Sequence, residues 1–291
     1  MRSVELFRLD RTLTLLSSAA CKHGPTRRRR SASIPILMYH SVSDDLDRSA
    51  RPYFRTVTAP TTFATQIGAM RARGLRGITL GEALSALHAN ELGALEGKVV
   101  ITFDDGLRDL LDNAVPVLLH AGFAATVFVV SDYIGARFVT GRMCLDALEM
   151  RALAGEGIEF GSHSASHRRL VELPDDELAS ELHSSRRSIE DTLGRSVDLF
   201  SYPYRFPEEN VAFIPRLRAL MLEAGYRGGV TTAIGTASSD DEPLFLPRLP
   251  VNDCDDSRLL LAKLDGHYDW LRVAQRLRKR YRAALASPMN R

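Results

Sequence analysis

The sequence predicts a parallel α/β fold, either a barrel or a doubly wound sheet, and three observations carry that reading. Apolar runs of strand length alternate with helix-length amphipathic stretches along a chain of 291 residues. The strongest run, Val99 to Phe103, is β-branched and apolar, as burial on both faces requires, and closes abruptly on Asp104-Asp105-Gly106. A second run, Ile34 to Tyr39, also ends on an ionisable residue, His40. Charges belong where strands leave a core, and in parallel α/β architectures that carboxyl edge binds ligands.

The elements follow in order. After the Ile34–Tyr39 strand, residues 44–58 lack periodicity and read as an irregular connection. Phe63, Ile67 and Met70 sit at helical spacing after Thr61-Thr62, and Gly74 stops that helix. Ile78 to Leu80 is a short extended piece, and Leu84 and Leu87 mark an amphipathic helix over Gly81–Asn90. The central strand follows. Leu110, Leu111, Val115, Leu118 and Leu119 then form a helical stripe ending at Gly122, with Pro116 predicting a kink or early stop. Ala124–Val130 is a buried strand, Cys144–Ala154 a helix, and Ile158–Phe160 a strand running into Gly161-Ser162-His163-Ser164-Ala165-Ser166-His167. Pro174–Leu193 is a helix with Asp175, Asp176 and Glu177 in its first turn, where the dipole favours acids. Val197–Tyr204 is strand and turn, Phe213–Ala224 helix, Gly228–Thr232 strand, and Phe245–Val251 a late extended segment. Arg258–Ala286 reads as a basic helical tail.

Composition bounds the class. Hydrophobic residues make up 45% and charged residues 25%, ordinary for a globular domain. The net charge is +2, and the one dense basic run is Arg27–Arg30, so nucleic acid is not an expected partner. Cys21, Cys144 and Cys254 are too far apart for a metal knuckle and odd in number, which argues for unpaired thiols. No window reaches the length of a membrane span. Glu5 and Asp10 stand where a signal peptide wants positive charge, so residues 1–33 read as a poorly ordered basic extension and the protein as cytoplasmic, with the cell envelope or secretion as the alternative.

His163 and His167 lie four apart, and on a helical turn their rings would share one face and one cation. A carboxylate from the neighbouring Asp104-Asp105 pair would complete a two-histidine, one-carboxylate set with open positions, the pattern of a catalytic divalent-metal site. Side chains alternate along a strand, so the two acids should hold different jobs: one binds metal, the other stays free as a base toward the attacking water. Hydrolysis of an acyl group also needs a proton donor for the leaving atom, and His40 is the candidate.

Thr102-Phe103-Asp104-Asp105-Gly106 together with Ser162-His163-Ser164-Ala165-Ser166-His167 resembles the first two motifs of the polysaccharide deacetylases, the NodB-homology or carbohydrate esterase family 4 domain. Phe200-Ser201-Tyr202-Pro203-Tyr204 is similar to the third motif, Leu246 to Val251 to a late segment, and the likeness runs from about Ile34 to Val251. The resemblance implies a distorted (β/α) barrel that removes N-acetyl, or sometimes O-acetyl, groups from glycans with a divalent metal, Zn²⁺ first and Co²⁺, Ni²⁺ or Mn²⁺ as alternatives. Carried over by position, Asp104 is the base and Asp105, His163 and His167 are the metal ligands, while the Tyr204 backbone N–H stabilises the oxyanion. Met38-Tyr39-His40 is similar to the opening of a circularly permuted branch that includes poly-N-acetylglucosamine deacetylases, where the opening histidine is the acid.

Two departures matter. Ser201 replaces an arginine found in many members, and Arg205 replaces the glycine after the motif. Arg248 is the candidate substitute, pairing with Asp104 to keep it ionised. The expected organisation is an extension over 1–33, a catalytic domain over 34–256 and a helical tail over 257–291 packed on it. The competing readings are a glycan-binding barrel without turnover, an O-acetyl esterase, and a glycoside hydrolase. The last needs carboxylates about 5–9.5 Å apart across a substrate, whereas Asp104 and Asp105 are adjacent.

Overall fold

In the computed structural model, which describes residues 8–21, 33–45, 50–51 and 54–272, the apolar runs form strands that close on themselves. In chain order the strands are β1 (Ser33–Ile34), β2 (Ile36–Tyr39), β3 (Ser41–Val42), β4 (Val57–Thr58), β5 (Arg76–Ile78) and β6 (Lys98–Phe103), then β7 (Ala125–Val129), β8 (Ile158–Ser162), β9 (Leu199–Ser201), β10 (Gly228–Ile234), β11 (Ala237–Ser238) and β12 (Leu246–Pro250). Seven of them, ordered β2-β12-β10-β9-β8-β7-β6, pair in parallel, and β6 returns to β2 to close a barrel. The closing register sets Ile36 opposite Val100 and Tyr39 opposite Phe103. β5 pairs the start of β6, whose end pairs β7. Alternation of strand and helix alone left barrel and doubly wound sheet open, and the family resemblance implied a distorted barrel. The β2–β6 pairing closes that barrel, distorted by the short β9 and an irregular β10–β12 register.

Described helices are α1 (Leu9–Cys21), α2 (Pro60–Ala72), α3 (Leu80–His88), α4 (Asp109–Asn113), α5 (Val115–Ala121), α6 (Ala147–Gly155), α7 (Asp175–Leu193), α8 (Phe213–Glu223) and α9 (Ser257–Leu264). Local chemistry sets their ends. Thr79 and Glu82 form a capping box at α3, and Asp146 and Glu149 form another at α6. The helical stripe around Pro116 is broken into α4 and α5, with the proline in the first turn of α5, where its missing N–H costs nothing. The helix expected from Cys144 begins only at Ala147, because Cys144 bridges to Leu107 instead.

Strand parity sorts the core. Ile36, Val100, Phe128, Leu199, Val230 and Leu246, drawn from strands around the barrel, fill one cluster inside it. Leu37, Val99, Ile101 and Phe103 point outward and pack with Phe63, Ile67 and Met70 of α2. Gly161 in β8 has no room for a side chain, since a Cβ there would lie 2.6 Å from the Phe128 ring.

The expectation of poor order over 1–33 is corrected for residues 8–21. Arg8 donates to Asp255 at 3.1 Å, the Tyr268 hydroxyl donates to Asp10 at 2.8 Å, and the Trp270 indole donates to Thr14 at 3.2 Å. A short amphipathic segment needs such tertiary partners to hold a helix, and no local sequence signal announces them. The basic run Arg27–Arg30 lies outside the described residues. Of the tail expected as helix to Ala286, α9 and the turn after it are described; residues 273–291 lie outside them. Among the described residues no helix is long and apolar enough to cross a membrane.

Candidate metal centre and active site

Asp104 and Asp105 follow β6 directly and part company there. Parity carries Asp104 onto the inward face with Val100 and Thr102, and there it meets Arg248 from β12. The Arg248 guanidinium donates through Nη1 to Asp104 Oδ1 at 2.8 Å and through Nη2 to Oδ2 at 2.7 Å. Its other donors reach Thr102 Oγ1, Ser201 Oγ and the Thr231 carbonyl, each at 3.0 Å, so all five N–H groups are used. Ser201 completes the arrangement by donating to Asp104 Oδ1 at 3.0 Å. Burial alone would push the Asp104 carboxyl up; Arg248 outweighs it, with help from His163, and holds the group well below the usual carboxylate range.

Asp105 adopts the left-handed region, φ 71°, and turns its carboxylate toward the histidines. Its Oδ1 lies 3.6 Å from the Nε2 of both His163 and His167. One donor atom from each of the three residues fits within 4.8 Å of the others. The helical turn for the two histidines is not found. Ser164 and His167 are left-handed at φ 68° and 57°, and the loop is tied by the Ser162 hydroxyl to the Ser164 N–H and by the Ser164 hydroxyl to the His167 N–H. Five non-glycine residues among those described have positive φ, and Asp105, Ser164, His167 and Tyr204 are four of them, so strain of about 1–2 kcal/mol each is concentrated here.

The rings are fixed by different means. His163 Nδ1 lies 2.8 Å from the Ser201 carbonyl, which leaves Nε2 facing Asp105. His167 is packed between Phe138 and Tyr204, at 5.2 and 4.5 Å between ring centroids, and its buried Nδ1 has no hydrogen-bond partner among the described residues. Burial pushes His167 down to about 3 and lowers His163, while burial and the charge of Asp104 push Asp105 up to about 8. Without a cation, neutral imidazoles therefore surround a reluctant carboxylate, a donor set that a divalent ion would suit.

Two more expected residues come to the same rim. His40 follows β2 as Asp104 follows β6, and the Asp104 N–H donates to the Tyr39 carbonyl at 3.0 Å, which sets the two residues level. Burial lowers His40 to about 4, against the pull of Asp104, so its imidazole is neutral at physiological pH. Tyr204 is left-handed at φ 58°, and among the described residues nothing accepts its N–H. Arg205 points outward and pairs with Glu209.

Sequence reasoning missed Glu181. This carboxylate reaches from α7, buried, and accepts from the N–H groups of Ala165 at 2.9 Å and Ser166 at 3.0 Å, and from the Ser166 hydroxyl. It thus pins the span between the two histidines. The only local signal is its position: Glu181 lies beside Leu178 and Leu182 on the buried stripe of α7, and that pattern does not name the loop it binds. Replacing it with alanine orphans two N–H donors, and the expected loss is about 1–3 kcal/mol of stability for each. Metal affinity should fall on the order of tenfold or more. Glutamine, whose amide oxygen accepts both N–H groups, should restore most of each. Denaturant titration and metal competition against a chelating dye measure the two effects; equal affinity in the alanine variant would sink the positioning role.

Comparison with known proteins bears on the family and the fold. Residues 93–228 match the polysaccharide deacetylase family profile. The Bacillus subtilis (strain 168) protein YxkH, assigned by name to the polysaccharide deacetylases, is 30% identical over 225 residues, covering 77% of this chain and 73% of that one. The poly-beta-1,6-N-acetyl-D-glucosamine N-deacetylase of Staphylococcus aureus (strain MSSA476) is 20% identical over 217 residues, 71% of each chain. Among solved structures, the Streptococcus pyogenes deacetylase PplD, in complex with acetate, superposes with a TM-score of 0.69 at 25% identity, covering 81% of this chain and 99% of that one. IcaB from Ammonifex degensii has the same fold, with a TM-score of 0.65 at 22% identity over 80% of this chain and 97% of that one.

Proposed function

Because the chain belongs to the polysaccharide deacetylase family, hydrolases of carbon–nitrogen amide bonds, we propose that it removes N-acetyl groups from an N-acetylated glycan. The observation that carries this is the convergence of the Asp105, His163 and His167 donors within 4.8 Å, with Asp104 held ionised at their side. In this reading those three residues hold the metal and Asp104 is the base. A divalent ion bound there, Zn²⁺ before Co²⁺, Ni²⁺ or Mn²⁺ given two nitrogens and one oxygen, would polarise the amide and acidify a water.

The remaining work falls to the chain. Asp104 takes a proton from the attacking water as its oxygen bonds to the acetyl carbon. Arg248 and Ser201 keep the Asp104 lone pairs aligned for that transfer. The Tyr204 N–H donates to the oxyanion as charge develops. The C–N bond then breaks, and the amine nitrogen takes a proton from His40. Burial keeps His40 neutral in the free site; as negative charge gathers on the substrate oxygen, His40 takes up a proton from solvent. The imidazolium passes that proton to the amine, while Asp104 returns the proton it took from water to solvent. The placement of His40 after β2, level with Asp104 across the closing pair of strands, supports the permuted branch suggested by Met38-Tyr39-His40.

Free acetate from N-acetylglucosamine oligomers tests the reading. Metal-loaded protein should release it, chelation should stop release, and restored metal should recover it. Glycan binding with no acetate would favour a barrel without turnover. Acetate from O-acetylated glycans alone would favour an esterase, and new reducing ends would revive a glycoside hydrolase.

A further inference from the structure

Arg168, Arg169 and Arg205 flank the metal-site loop and Tyr204 in sequence, and they are not equivalent. Arg168 pairs with Glu177 at 2.6 Å and Arg205 pairs with Glu209. Arg169 has no carboxylate partner among the described residues; its guanidinium lies over the exposed Tyr204 ring, 4.9 Å from the centroid. That ring packs on the metal-site residue His167, so Arg169, Tyr204 and His167 form one stack running from the rim into the centre. A guanidinium over a ring face is attracted as a cation and does not need its N–H donors for that contact. The backbone beneath is fixed as well: the Arg169 carbonyl accepts from the Glu172 N–H at 3.0 Å, and the next residue, Leu170, is fully buried. An exposed cation held in place, with no hydrogen-bond partner for its fork of donors among the described residues, fits an oxyanion that accepts two hydrogen bonds.

We propose that Arg169 is a specificity residue that reads an anionic group, phosphate or carboxylate, borne by the glycan close to the acetamide being hydrolysed. The inference rests on the deacetylase reading and narrows its substrate class from glycans in general to glycans carrying such a group. The anion sits beside the reacting sugar, where it meets the Arg169 edge while the sugar lies along Tyr204.

The test compares three substrates: an N-acetylglucosamine oligomer, the same oligomer carrying a phosphomonoester, and the same oligomer carrying a carboxymethyl group. Acetate release and equilibrium binding are both measured, for the unaltered protein and for Arg169→Gln and Arg169→Lys. The unaltered protein should favour an anionic oligomer by about tenfold or more in kcat/KM, chiefly through KM, as expected for a charge-assisted hydrogen-bonded pair. Arg169→Gln should bring that ratio close to one, and Arg169→Lys, a point charge without the fork, should recover only part of it. Preference for the phosphate form alone, the carboxylate form alone, or both identifies the group that is read. A ratio near one in the unaltered protein, or the same ratio in Arg169→Gln, overturns the inference while acetate release keeps the deacetylase reading intact. A binding preference that depends on Arg169, with no acetate from any oligomer, sinks the deacetylase reading and keeps the anion site. Absence of both turnover and preference overturns both.

Discussion

An Asp104→Asn protein is expected to keep its metal and lose acetate release by about 10²–10⁴-fold, the range for removing a general base. Asparagine has nearly the shape of aspartate but no basic lone pair held by Arg248. The three metal donors are untouched, so bound metal should match that of the unaltered protein. The reverse is expected of Asp105→Asn, which removes a donor and should lower metal content and activity together. The loss in Asp104→Asn should lie in kcat rather than KM, because Asp104 acts on water and not on glycan. Arg248, buried and no longer paired with a charge, will also lower stability, so activity must be referred to the folded fraction. Full acetate release by folded, metal-loaded Asp104→Asn would remove Asp104 from the base role.

That division between the acids was legible because period two is a hard rule on a strand: if Thr102 faces inward, Asp104 follows it and Asp105 does not. The strands were legible for the same kind of reason, since runs such as Val99–Phe103 and Ala125–Val129 are buried on both sides and carry no charge, only the β-branched Thr102 and Thr126. What escaped the sequence depends on distant partners. Closure of the barrel rests on β2 meeting β6, separated by the whole of α2, β5 and α3, and no local pattern encodes that pairing. Helical spacing suggested a helical turn at His163 and His167, but the Ser162 and Ser164 hydroxyls bind the loop backbone instead, as short polar side chains do when they compete with helix. Glu181 acts from another element; its place beside Leu178 and Leu182 on the buried stripe of α7 says that it is covered but not which loop it holds. Ser201 looked like the loss of an arginine; the structure pairs Arg248, from a different strand, with the same carboxylate, and a small Ser201 beside them accepts from one and donates to the other.

The Arg248–Asp104 pair also predicts how stability depends on pH. Both side chains are essentially fully buried, and removing one partner of such a pair costs about 3–5 kcal/mol because the other charge is left uncompensated. Arg248→Met is therefore expected to lose about that much at pH 7. The sign with pH follows from Asp104. In the unaltered protein its folded pKa lies below the unfolded value of about 3.9, so its contribution is present above that pH and is lost as pH falls further. In Arg248→Met, burial without the arginine raises the folded pKa above the unfolded value. Folding then costs energy wherever the unfolded chain is ionised, and the penalty is relieved as acid protonates the group. The stability gap between the two proteins should thus be widest near neutrality and narrow steadily toward pH 4. Denaturant unfolding of both proteins across that interval measures it. The same rise should move the acid limb of acetate release to higher pH, since a base must be ionised to accept a proton. A gap independent of pH would mean that Arg248 serves packing alone, with Asp104 ionised for some other reason.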